Sequence, residues 1–165
     1  MRPFPILALL STLALSAAAH AATFDFAATG SGGGFSGSGT FIASANGGGS
    51  YTITGISGTG ITGLLQAGNF DGNDNQLFPT SASLVDTHGF AFTDVMGNTG
   101  FNVDIFSNGP GTYEANFLDT DGFSATLPVT FSLTNTSATP EPSGLLLLGT
   151  GILGLAGMAR RRLPS

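Results

Sequence analysis

Polar and apolar residues alternate along much of this chain with a period of two. Thr23-Phe24-Asp25-Phe26 starts the pattern. It returns in residues 50–56, where Tyr51 and Ile53 fall on one face and Thr52, Thr54 and Ile56 on the other. That period sends successive side chains to opposite faces of a strand. Between 22 and 139 no run of a dozen residues carries apolar positions at helical spacing, so strands are predicted throughout. Residues 38–45 and 50–56 read as two strands joined across Asn46-Gly47-Gly48-Gly49. The clearest hairpin pairs 101–106 with 112–117 across Ser107-Asn108-Gly109-Pro110-Gly111. Further strands are predicted at 60–66, 83–85, 89–95, 122–127 and 129–133, with a long polar loop at 68–80. Residues 30–39, rich in Gly and Ser, read as either a low-complexity arm or an irregular edge strand. Roughly eight to ten short strands at about ten-residue spacing predict an all-β fold, a single antiparallel β-sandwich or barrel-like domain over residues 22–138.

Charge changes the picture. The only basic residues other than histidine are Arg2, Arg160, Arg161 and Arg162, so residues 22–138 contain no Lys or Arg. Every acidic residue except Glu141 lies in that same stretch. Nucleic acid is excluded as a partner, because its phosphates require positive charge. The chain has no cysteine, which excludes disulfides, thiolate metal sites and thiol nucleophiles. Phenylalanine supplies the core material: all but one of the 14 Phe fall within the domain, and there is no Trp.

The two ends follow different rules. Arg2, the apolar residues 6–15 and Ala19-His20-Ala21 have the order of a signal peptide, with cleavage expected after Ala21. At the other end stands Pro140-Glu141-Pro142, then 143–159 without a charged residue, then Arg160-Arg161-Arg162. In lipid such a segment satisfies its backbone as a helix, and arginines beyond it stay on the cytoplasmic side. Seventeen residues span about 25 Å at ~1.5 Å each, against a hydrocarbon core of about 30 Å. Five of those residues are glycines, which weakens the helix further. A single short transmembrane helix is expected, suited to transient anchoring.

The triplet, the Gly/Leu-rich segment and the arginine cluster together resemble the PEP-CTERM sorting domain, here residues 139–165. The resemblance implies recognition by an exosortase, a membrane-embedded cysteine transpeptidase of exopolysaccharide-producing Gram-negative bacteria, acting at Pro140, Glu141 and Pro142. It also implies an exported protein: a membrane-anchored precursor, then a cell-surface or extracellular form, with exopolysaccharide as a possible associate. Residues 61–65, 72–79 and 89–93 are similar, more loosely, to a group of exported proteins with an ITGLL, GNDNQLFP, GFAFT arrangement.

Candidate chemistry in the domain is sparse. Asp71, Asn73 and Asn75 place side-chain oxygens at alternate positions, as a calcium loop does, but Gln76 stands where the tight turn needs glycine. Asp119 and Asp121 offer a second such group, in Asp119-Thr120-Asp121-Gly122. Against both stands the habit of Asp and Asn to fill turns by bonding their own backbone. His88, two residues from Asp86, is the sole imidazole left after signal cleavage and reads as a surface turn residue. No carboxylate pair is singled out for hydrolysis, and no phosphate-cradling loop is present. The expected function is a non-enzymatic structural or interaction protein of the cell surface or matrix. A carbohydrate- or calcium-binding module is the alternative, and an extracellular hydrolase comes last.

Overall fold

Among the described residues nine strands form where the alternation runs. They are β1 (Ala21–Gly30), β2 (Ser36–Gly47), β3 (Ser50–Gly58), β4 (Ile61–Leu64), β5 (Gln76–Leu77), β6 (Phe90–Met96), β7 (Thr99–Gly109), β8 (Thr112–Asp119) and β9 (Ser124–Asn135). The alternation shows most plainly in β1, β2 and β8, as alternate buried side chains. The computed structural model describes residues 21–31, 35–96, 99–137 and 151. The expected signal segment, sorting triplet, membrane segment and arginine cluster lie outside those residues, Ala21 and Gly151 excepted. Two units divide at Asn135, and all nine strands belong to the first, Met1–Asn135. Among the described residues no helix is long and apolar enough to cross a membrane.

All nine strands join one antiparallel sheet in the spatial order β4-β6-β7-β8-β9-β1-β2-β3-β5. The sequence allowed a sandwich or a barrel; the structure is one curled sheet, a half-barrel, rather than two facing sheets. The curl follows from a single contact. Phe41 on β2 stacks edge-on against Phe90 on β6, with ring centroids 4.9 Å apart. Those strands are five places apart in the ladder, about 24 Å in a flat sheet at ~4.8 Å per strand. Only curvature brings them together.

The concave face is lined by every second residue. Phe24, Phe26 and Ala28 of β1 meet Phe41 and Ala43 of β2, Ile53 of β3, Phe90 and Phe92 of β6, and Val103 and Ile105 of β7. Tyr113, Ala115 and Phe117 of β8 and Val129 and Phe131 of β9 complete the lining. Phe90 is the hub, touching the rings of Phe26, Phe41, Phe92 and Phe131. Where β2 and β3 press together, Gly39 leaves room that no side chain could share. A Cβ there would sit 1.9 Å from the Ser57 carbonyl oxygen.

Three strand expectations change. The strands expected at 122–127 and 129–133 are one strand, β9, which begins at Ser124 and runs straight through Pro128. Its first half pairs with β8 as far as Val129, and its second half pairs with β1 from Val129 onward. Proline's missing N–H therefore falls where the ladder passes from one neighbour to the other, the place a sheet tolerates it. Of the Gly/Ser-rich stretch, residues 32–34 lie outside the described ones, while Ser36–Gly39 are neither arm nor edge but part of β2, an interior strand between β1 and β3. Residues 83–85 form no strand, yet Val85 is buried and the Leu84 N–H donates to the Tyr113 hydroxyl at 2.9 Å.

The segment from Leu65 to Gly89 spans the open side of the half-barrel. The Leu65 N–H donates to the Ala91 carbonyl of β6 at 2.8 Å, and the Ile53 N–H of β3 donates to the Asn75 carbonyl at 2.8 Å. β5, within the segment, pairs with Tyr51 and Thr52 of β3. One stretch of chain thus bonds both margins of the sheet.

Candidate functional site

Asn75 fastens that closure. Its backbone is left-handed, φ 59°, a conformation that Asn accepts more readily than other side-chain-bearing residues. Its Oδ1 accepts from Asn73 Nδ2 at 2.8 Å and from the Ala91 N–H at 3.2 Å, while its Nδ2 donates to the Leu65 carbonyl at 2.8 Å. Asn73 is buried beside it, and its own Oδ1 accepts from the Phe70 N–H at 3.2 Å. Asp71, also left-handed at φ 54°, turns the other way and accepts from Asn116 Nδ2 at 2.8 Å. The three oxygens expected to converge as a loop therefore serve three separate structural bonds. Asp119 does likewise: its Oδ1 accepts from the Asp121 N–H at 2.9 Å and the Phe123 N–H at 2.8 Å, closing the β8–β9 turn. Asp121 is exposed. Ala21 is the first residue of β1, paired with Ser44. Ala19, Pro140, Glu141, Pro142, Arg160, Arg161 and Arg162 lie outside the described residues.

The residues the fold does gather are others. Asp74, Asp86 and His88 each bring one oxygen or nitrogen within 4.8 Å of the rest. Asp86 opens a tight turn, its Oδ1 accepting from the His88 N–H at 2.9 Å and the Gly89 N–H at 3.1 Å. Gly89, at φ 62°, lets that turn lie on β7: a Cβ there would sit 2.2 Å from the Ile105 carbonyl oxygen. The Gly89 carbonyl in turn accepts from the Asp74 and Asn75 N–H groups at 3.3 and 3.0 Å. Asp74 is thereby carried beside Asp86, and its Oδ1 accepts from the Gln76 N–H at 3.0 Å. Each carboxylate has one oxygen fixed by backbone. His88 stands exposed at 62%, its Nδ1 3.7 Å from Asp86 Oδ2.

Charge accumulates here. Burial raises the Asp74 carboxyl above its ordinary range; the Gln76 N–H opposes this, and the neighbouring Asp86 charge adds to it. Asp104, on β7 between Ala91 and Asn116, is 1% exposed, and its Oδ1 has no hydrogen-bond partner. Burial first, and then the charges of Asp71, Asp74 and Asp86, push its pKa to about 8. A cleft of about 430 Å³ between β3 and the closing segment has Asp74 and Asn75 among its lining residues. The site can attract and hold positive charge. Sequence reasoning noticed Asp86 and His88 but not Asp74, twelve positions earlier, because only the shared Gly89 carbonyl and the packing on β7 unite them.

The first unit is an all-β, curled-sheet domain with an acidic site on its closing segment. The chain that carries it also carries a sorting signal: residues 138–162 match the family model of the PEP-CTERM protein-sorting motif. That motif implies exosortase-dependent sorting to the cell surface. No curated protein and no solved structure matches the chain.

Proposed function

We propose that this is an exported, non-enzymatic structural or interaction protein of the cell surface or extracellular matrix, with the curled sheet as the cargo of its C-terminal signal. The sorting motif at 138–162 is the observation that carries the reading. The export signal is removed after Ala21, and β1 then starts at Ala22, losing only the Ala21–Ser44 pair at its end. The C-terminal segment holds the precursor in the membrane until an exosortase acts at Pro140, Glu141 and Pro142. A domain without Lys or Arg suits association with neutral polysaccharide better than with anionic polymers.

Mass spectrometry of the mature protein tests this. A host with its exosortase should yield a chain beginning at Ala22 and lacking the arginine cluster. Replacing Pro140, Glu141 and Pro142 with alanine should leave the C-terminal segment in place. Recovery of the intact chain from the cytosol, equally with and without exosortase, would overturn the reading.

A further inference from the structure

We propose that Asp74, Asp86 and His88 form a binding site for one divalent transition-metal cation of the zinc class, an assignment independent of how the chain is sorted. The geometry is the first ground. Three side chains from the closing segment and the turn before β6 present their ligand atoms within 4.8 Å of one another. Ligand atoms around a tetrahedral ion stand about 3.4 Å apart when each bond is about 2.1 Å. Rotation of the exposed His88 side chain supplies the remaining approach. In Asp74 and Asp86, backbone N–H groups hold one oxygen and orient the carboxylate, the outer-sphere support that metal-ligating carboxylates receive elsewhere.

The second ground lies outside the triad. Asp104 is 1% exposed with Oδ1 unpartnered, and after burial itself the charges of Asp71, Asp74 and Asp86 raise its carboxyl, so two of the three ligands lie near enough to act on it. Buried polar atoms are almost always satisfied, and a buried carboxyl among other acidic charges calls for positive charge. The domain holds no Lys or Arg to supply it. A bound cation would be the largest local charge and would reverse this balance.

The donor set selects the ion. Calcium takes six to eight oxygens, whereas one imidazole nitrogen with two carboxylates suits zinc, cobalt or manganese. The side facing solvent remains open through His88, so water completes the coordination sphere.

The test uses the untagged full chain in detergent, stripped with chelator and titrated separately with Zn²⁺, Co²⁺, Mn²⁺ and Ca²⁺. The expected result is one Zn²⁺ or Co²⁺ per chain, a higher melting temperature, and visible Co²⁺ absorption. H88Q changes an exposed side chain and D86N keeps an oxygen to accept from the turn, so both variants should fold. Each should weaken Zn²⁺ binding by about tenfold or more, the scale on which metal sites respond to lost partners. D119N should bind as the parent does. Binding no tighter than millimolar would overturn the proposal. So would Zn²⁺ affinity unchanged in H88Q and D86N, or a preference for Ca²⁺ that survives H88Q.

Discussion

The concave face and the closing segment complete the same half-barrel by opposite means. The concave face is aromatic and redundant: Phe90 touches four other rings, so each contact is one among several. The closing segment is polar and singular. Asn75 alone bonds Asn73, the Ala91 N–H and the Leu65 carbonyl, and its own carbonyl receives the Ile53 N–H. Apolar burial is non-directional and shares its losses among neighbours, whereas a buried hydrogen-bond network fails as a unit. The difference explains why charge can collect on one region and not the other.

The largest effect should come from the aromatic side. F90A removes the hub of the concave face and should cost about 3–5 kcal/mol in urea unfolding. A loss under about 1 kcal/mol would mean that the curl does not depend on this packing. N75A should cost about 2–4 kcal/mol, since it strands the buried Ala91 N–H and Asn73 amide and places alanine at a left-handed position. N75G keeps the backbone freedom without the bonds, so its stability should fall between parent and N75A. If N75G matched the parent, the side-chain network would be irrelevant and the contrast would break.

A gentler test uses pH on the metal-free protein. Asp104 is raised in the folded state from 3.8 to about 8, so it binds its proton more tightly there than in the unfolded chain. Its contribution is fully present below about pH 4 and is lost as pH rises through about 8. Stability should therefore decline by on the order of 1 kcal/mol per pH unit across that window. D104N should flatten the decline and be the more stable form at pH 9, with the two alike below about pH 4. The smallest change should be D119A, which frees two exposed N–H groups of a surface turn and should cost about 0.5–1.5 kcal/mol.

Strands 38–45, 50–56, 101–106 and 112–117 were legible because alternation and glycine turns are local signals, and each lies within an observed strand. Pro128 misled for an equally local reason: proline breaks a strand unless a change of partner falls there, and partners are not written in the strand itself. Asp71, Asn73 and Asn75 showed a calcium-like spacing, but spacing does not reveal which way each oxygen turns. Asn73 and Asn75 turn inward to the closure and Asp71 outward to Asn116.

The sequence by itself determined the class of fold, the aromatic core and the sorting signal, since each rests on residue type at short spacing. It also determined that the domain would carry negative charge without compensation. The tertiary structure alone decided that the strands make one curled sheet and not two, because that depends on which distant strands pair. It also decided that Asp74 meets Asp86 and His88. Such a meeting depends on the path of a closing loop, which backbone hydrogen bonds set and no local pattern encodes.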